Sequence, residues 1–414
     1  MVFPAAPRIA GRTSSSASLV LMKFLIPFVC FAVFLGGAAA ATSTAPAPVT
    51  PTKKHKKSTV RKKAAAVAPV AATPAAANSA AKKAAPKKKV YVQTWDEPTY
   101  KDSTLGDKID GEDPEVRKAA VDALGQFNGS IVVVDPTTGR VLTMVNQELA
   151  LGGGFQPCST VKVSVALAAL KEGLVEKTAP VRLASRRSMD LTDAIAYSNN
   201  YYFANLGIKL GYDRMNYYAH LFGYGEKAGL NIEGEHPGAF PPAPPKNGGM
   251  GMLTSFGEEI SQTPLELAGL ITAVANGGTL YWLQYPRSQA EVEHFQPLVK
   301  RHLDISSLVD TIKPGMRGAV DYGTARRAKQ DEEIFGKTGT CSEGRTHLGW
   351  FGSFNEGGSR KLVVVVMLTG GRPSIGPMAS GIAGDVYREL ASENFFRKTA
   401  PLTPALLSTQ GILH

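Results

Sequence analysis

The chain has 414 residues, 43% of them hydrophobic, with a formal net charge of +11, which is enough for one or two domains with a full core. The charge is unevenly placed: residues 1–90 hold 15 of the 46 Lys and Arg and none of the 35 acidic residues, leaving 31 basic against 35 acidic residues in the remainder. The part able to fold is therefore slightly acidic and offers no basic surface for nucleic acid.

Residues 24–41, FLIPFVCFAVFLGGAAAA, are strongly apolar from Phe24 to Leu35 and then small. Arg8, Arg12 and Lys23 precede them and Ala38-Ala39-Ala40 closes them. That is the outline of a secretory signal, with Met22 as an alternative start. At this length an uncleaved membrane anchor is the other reading. Cys30 has no small-residue lipobox before it, so a lipoprotein is not expected. Either way residues 1–41 predict export. Residues 42–89 are Ala, Pro and Lys/Arg with almost nothing to bury, which predicts a disordered linker. It reads as a solvated tether or as one that also adheres to anionic wall polymers or lipid headgroups.

The stretch 90–113 is mixed, and its structure is left open. Helical spacing then covers Pro114 to Gln126. A buried strand over Gly129 to Val134, a turn Asp135-Pro136-Thr137-Thr138-Gly139 and a strand over Val141 to Val145 predict a hairpin. Pro157 leads into Ser159, and an apolar helical run follows from Val161 to about Val175. Ser159 occupies an expected N-cap position, and Lys162 lies one turn on, on the same face. Alone, this is a cap followed by a surface lysine. It also has the chemistry of a nucleophile and its base, because a lysine desolvated near a helix start loses its proton more readily.

Met189 to Tyr197 has helical spacing, Ser198-Asn199-Asn200 breaks it, and Tyr201 to Leu210 resumes it. Residues 223–245 are irregular by composition. Thr263-Pro264 opens a helix reaching Asn276. Asp304 to Tyr322 is helical with an interruption near Pro314. Strands follow over Ile334 to Thr340, His347 to Phe354 and Leu362 to Leu368, and a helix runs from Met378 to Phe396. Two early strands, three late ones and helices between and after them predict an α+β domain whose antiparallel sheet joins both ends of the sequence.

Ser159-x-x-Lys162, Ser198-x-Asn200 and Lys337-Thr338-Gly339-Thr340, in that order, resemble the motifs of penicillin-binding proteins and class A β-lactamases. Each is weak alone; the ordered set is specific. GSIVVVDPTTGRVLTMV, YGEKAGLNIEGEHPG, LTSFGEEISQTPLELA, GMRGAVDYGTARRA and GKTGTCSEGRTHLGWFGSF also resemble the transpeptidase domain of class B penicillin-binding proteins. The resemblance runs from about Pro114 to Phe396. It implies a five-stranded antiparallel sheet flanked by helices plus an all-helical lobe, with domain bounds of 90–400 and a tail at 401–414. The large pedestal domain usual before class B transpeptidases and a glycosyltransferase region have no counterpart here, so a pared-down, tethered domain is expected.

The resemblance also implies residue roles. Ser159 would attack the penultimate carbonyl of a peptidoglycan stem peptide ending in D-Ala-D-Ala, with Lys162 taking its proton. Ser198 would relay a proton to the departing amine, and Asn200 would hold the donor amide and Lys162. Lys337, Thr338 and Thr340 would receive the terminal carboxylate beside Gly339. Backbone N–H groups of Ser159 and Thr340 would form the oxyanion hole. β-Lactam antibiotics would acylate Ser159. No cofactor and no metal is expected; the seven His are scattered, and His347 reads as structural. Cys158 and Cys341 match the positions joined by the active-site disulfide of class A carbapenemases, and export favours oxidation; two small buried residues are the alternative.

Three functions stay open on the sequence: a D,D-transpeptidase or D,D-carboxypeptidase, a serine β-lactamase, and a non-enzymatic sensor or wall binder. A class A β-lactamase needs a Glu placed to activate water, and Glu258, Glu259 and Glu266 sit instead in transpeptidase-like text. A sensor calls for several membrane spans, and an inert binder for a lost motif residue.

Overall fold

The computed structural model describes residues 102–184, 187–343, 346–370 and 375–398. The expectations for residues 1–41, 42–89 and 401–414 lie outside the described residues. Among the described residues no helix is long and apolar enough to cross a membrane.

Helix α1 (Pro114–Leu124) starts where the sequence places it, because Asp113 accepts from the N–H groups of Glu115 and Val116 and Pro114 occupies the first turn. Strands β1 (Gly129–Asp135) and β2 (Arg140–Val145) form the expected hairpin. A short helix α2 (Gln147–Leu151) and a 3₁₀ turn Cys158–Val161 lead into α3 (Lys162–Lys171). The hairpin β3 (Val181–Ala184) and β4 (Arg187–Met189) precedes α4 (Leu191–Ala196), α5 (Asn200–Leu210) and α6 (Tyr212–Leu221). Then come α7 (Gly249–Phe256), α8 (Pro264–Ala275), β5 (Thr279–Tyr281), α9 (Gln289–Glu293), β6 (Val299–His302) and α10 (Ser306–Asp321). Strands β7 (Ile334–Glu343), β8 (Thr346–Asn355) and β9 (Val363–Thr369) and helix α11 (Ile375–Ser392) close the domain.

The main sheet has the order β2-β1-β9-β8-β7, with every pairing antiparallel. The N-terminal hairpin docks on the last strand, so the two ends of the sequence share one sheet, as expected. Period-2 alternation splits the core cleanly. Val132, Val134, Val363, Val365 and Met367 face the core shared with α3 and α8. Ile131, Val133, Val364, Val366 and Leu368 face the core under α1 and α11. Both faces are covered, which explains why β1 and β9 are almost purely apolar. Two small two-stranded sheets, β3-β4 and β5-β6, supplement the main one.

Several local expectations are corrected. Ser159 is not an N-cap: it lies inside the 3₁₀ turn, and Val161 precedes α3 without a side-chain cap. Met189 ends a strand, and Asp190 caps α4 by accepting from Asp193 N. Helix α10 runs through Pro314 without interruption. Its apolar residues on either side of the proline, Val309, Ile312, Met316, Ala319 and Val320, stay on one buried stripe, and that packing outweighs the lost hydrogen bond. Helix α11 begins at Ile375, before Met378. Helices α6 and α7 were not anticipated; α7 opens Gly-Met-Gly, a poor helical signal that packing against α5 overrides.

Candidate active site

Three elements converge on one cluster. The 3₁₀ turn and α3 bring Ser159 and Lys162, the α4–α5 connection brings Ser198 and Asn200, and the free edge strand β7 brings Lys337 to Thr340. Helix α3 is buried from Lys162 to Ala169, which is the signature of a central helix, so Lys162 has no route to solvent along its own face. Lys162 and Lys337 both have 0% exposure.

The Lys162 Nζ lies 3.0 Å from Ser159 Oγ, 2.8 Å from Ser198 O, 3.1 Å from Ser198 Oγ and 2.5 Å from Asn200 Oδ1. Burial, and then the charge of Lys337, hold its amine well below the usual lysine range. A neutral amine has two N–H groups and one lone pair. The Ser198 carbonyl and the Asn200 amide oxygen can only accept, so they take the two N–H groups and the lone pair is left for a hydroxyl, with Ser159 the nearer. Lys337 Nζ donates to Ser198 Oγ at 2.9 Å and to Thr338 O at 2.9 Å, and burial lowers its pKa to about 7. The Ser198 hydroxyl therefore stands between two buried amines.

Local backbone makes this arrangement possible. Ser198 has φ +55°. It ends α4, its N–H bonding Ile195 O, while Asn199 caps α5 by accepting from Tyr202 N. The break in helical spacing at Ser198-Asn199-Asn200 is thus a cap and a tight connection between α4 and α5. Cys158 also has positive φ, +54°. Left-handed backbone at non-glycine residues beside Ser159 and at Ser198 is a conformation that surrounding packing must enforce. Part of that enforcement is covalent. Cys158 and Cys341 form a disulfide with Cα atoms 5.5 Å apart, tying the turn before Ser159 to β7 just after Thr340. Gly339 allows the two to approach: a Cβ there would lie 2.8 Å from Pro157 O and 3.2 Å from the Thr160 side chain. Trp350 Nε1 donates to Gln156 O at 3.0 Å, and Gln156 Nε2 donates to Phe256 O and Glu258 Oε2, steadying the approach to the nucleophile.

Thr338 Oγ1 shares a 2.6 Å hydrogen bond with Thr324 Oγ1. Two hydroxyls share one bond, so one O–H of the pair stays available to a ligand. Thr324 was not identified from the sequence. It lies within the transpeptidase-like text YGTARR, but no spacing rule singles it out. Glu266, weighed as a deacylating carboxylate, accepts instead from the N–H groups of Thr263, Gly225 and Gly238. It closes the capping box of α8, and burial pushes its carboxyl up to about 7. His347 Nδ1 bonds Ser342 Oγ at 2.7 Å. Among the described residues no group of three or more His, Cys, Asp or Glu is placed to hold a metal ion.

This arrangement can supply a serine nucleophile, a buried amine with a lowered pKa to activate it and a second hydroxyl to move a proton. The family model described as penicillin binding protein transpeptidase domain matches residues 129–392. Stage V sporulation protein D of Bacillus subtilis is 26% identical over 295 residues, covering 63% of this chain and 45% of that protein. Peptidoglycan D,D-transpeptidase FtsI of Escherichia coli K12 is 25% identical over 248 residues, covering 52% and 41%. The chain thus spans less than half the length of either relative. The crystal structure of Pseudomonas aeruginosa PBP2 in complex with WCK 5153 superposes with a TM-score of 0.59 at 25% identity, covering 70% of this chain and 77% of that one. On the family match and the shared fold, this chain belongs to the penicillin binding protein transpeptidase domain family.

Proposed function

We propose that the chain is a serine D,D-transpeptidase that cross-links peptidoglycan stem peptides ending in D-Ala-D-Ala and is acylated by β-lactam antibiotics. The observation that carries this reading is the 3.0 Å contact between Ser159 Oγ and the buried Lys162 Nζ, whose amine burial holds well below the usual lysine range. Ser159 Oγ attacks the penultimate carbonyl while its proton passes to Lys162. The oxyanion is held by backbone N–H groups of Ser159 and Thr340, where one donor is worth about 10²–10³ in rate. The proton then moves through Ser198 to the departing D-Ala amine, and the C–N bond breaks. An acceptor amine attacks the ester, a new C–N bond forms, and Ser159 regains its proton by the reverse route. The free O–H of the Thr338–Thr324 pair, Thr340 and the Lys337 amine receive the terminal carboxylate.

Water in place of the amine makes the same site a D,D-carboxypeptidase. The Cys158–Cys341 disulfide keeps a serine β-lactamase as the second reading. The domain acts outside the cytoplasm, on the strength of the signal-like or anchor-like residues 1–41, with the basic linker 42–89 as its tether to membrane or wall polymers.

Covalent labelling of the purified full chain with a fluorescent penicillin, followed over hours, tests the assignment. A lasting adduct on the wild type and none on Ser159→Ala is the expected result. A short-lived adduct with antibiotic turnover means the β-lactamase. No adduct on folded wild type means the acyl-enzyme chemistry is absent.

A further inference from the structure

The active-site cluster is bordered by aromatic side chains that the acylation chemistry does not use. Among the described residues nine large hydrophobic side chains are exposed, and three are tyrosines flanking this site. Tyr197 directly precedes Ser198, Tyr201 directly follows Asn200, and Tyr322 lies two residues before Thr324. Scattered exposed apolar residues are ordinary on a protein surface, but a cluster at a reaction centre is not.

Two of the three form a fixed pair. The Tyr197 and Tyr322 rings are 5.5 Å apart at 54°. Tyr322 OH donates to Asp193 Oδ1 at 3.2 Å. The segment carrying Tyr322 crosses directly over the turn carrying Tyr197: Thr324 N donates to Ala196 O at 3.1 Å, and a Cβ on Gly323 would lie 2.2 Å from that same oxygen. One ring therefore comes from the helical lobe and the other from the connection leading to β7. The pair is held by a hydrogen bond, ring contact and backbone crossing, yet Tyr197 stays 51% exposed and Tyr322 41%. Rigid, amphipathic rings with open faces bind a ligand at little cost in conformational entropy.

On the proposed transpeptidase reading, on which this inference rests, the chain positions of the two rings relate them to a part of the reaction. The departing D-Ala leaves with its amine at Ser198 and its carboxylate at the Thr338–Thr324 hydroxyls. Tyr197 is the chain neighbour of Ser198, and Tyr322 stands two residues from Thr324. By microscopic reversibility the incoming amine approaches the ester along the path the departing amine took. We propose that the Tyr197–Tyr322 pair is the acceptor wall: it contacts the aliphatic chain next to the incoming amine and shields the acyl-enzyme from water, so favouring aminolysis over hydrolysis. In that step the amine nitrogen bonds the acyl carbon, the Ser159 Oγ–carbon bond breaks, and one amine proton returns to Ser159 Oγ through Ser198 and Lys162.

The test uses the purified full chain, an N-acetyl-D-alanyl thioester as acyl donor and a series of D-amino acids of increasing aliphatic length, from glycine to D-norleucine, as acceptors. The readout is the ratio of amide to free acid formed. This ratio is set after the acyl-enzyme has formed, so a change in folded fraction or acylation rate does not move it. In the wild type the ratio rises with acceptor length. Tyr197→Ala and Tyr322→Ala are each expected to lower it about fivefold to tenfold, the scale of one aromatic contact, and to flatten the length dependence. Tyr322→Phe, which keeps the ring, and Tyr217→Ala, an exposed tyrosine elsewhere, are expected to leave it unchanged. An unaltered ratio in both alanine variants overturns the acceptor wall, as does a wild type that acylates but yields only acid. A wild type that forms no acyl-enzyme with thioester or penicillin overturns the proposed function, and this inference with it.

Discussion

Two of the buried clusters of ionisable side chains among the described residues are built on opposite terms. Glu112, 5% exposed, accepts from Met144 N at 2.8 Å, Tyr285 OH at 2.7 Å and Thr143 Oγ1 at 2.7 Å, and faces Arg117 at 3.4 Å. Asp107 accepts from Arg117 at 2.8 Å and from the N–H groups of Asn146 and Gln147. Opposite charges meet there, and the segment before α1 is clamped to β2. Lys162 and Lys337 are two amines of like type sharing one serine hydroxyl, and the hydrogen-bond partners described above are hydroxyl, carbonyl and amide oxygens. A paired buried charge is structural; a like-charge pair whose pKa values are driven down by burial is what a proton-transfer site requires.

Lys162→Met keeps the volume of the side chain and removes the amine. Penicillin acylation is expected to slow by about 10³-fold while the unfolding midpoint holds or rises, because burying an amine costs stability. Equal losses of acylation and folding would make Lys162 structural and erase the contrast. Glu112→Ala is the mirror experiment: denaturant unfolding is expected to lose about 4 kcal/mol, with the acylation rate per folded molecule kept. Reducing the Cys158–Cys341 disulfide is expected to cost about 3 kcal/mol in the same unfolding measurement and to slow acylation as well, since it spans the two elements that flank Ser159.

The smallest effect is in pH. Lys337 has a pKa of about 7 when folded, against 10.5 for its ordinary value. Between these the unfolded chain carries a proton that the folded one lacks, so this group makes stability rise with pH across that window and leaves it lowest below pH 7. Denaturant unfolding at pH values from about 6 to 9 measures the slope, and Lys337→Met should flatten it. A slope unchanged in that variant would mean that Lys337 is charged when folded.

The sequence by itself determined whatever depends on neighbours along the chain. The β1–β2 hairpin follows from two apolar runs and the turn between them, the start of α8 from Thr263 and Pro264, and the domain family from three short motifs in order. Tertiary structure alone decided what depends on distant residues. Local signals made Ser159 a cap and made Pro314 a break, and packing of α3 and α10 overruled both. The hydrogen bond of Thr324 to Thr338, the lowered pKa of Lys162 and the meeting of Tyr197 with Tyr322 have no local signature. Each arises when the helical lobe and the edge strand close on the same few ångströms. Burial then acts on whatever side chains are brought there, which is why the motifs could be read in the sequence while the amine lone pair and the aromatic wall could not.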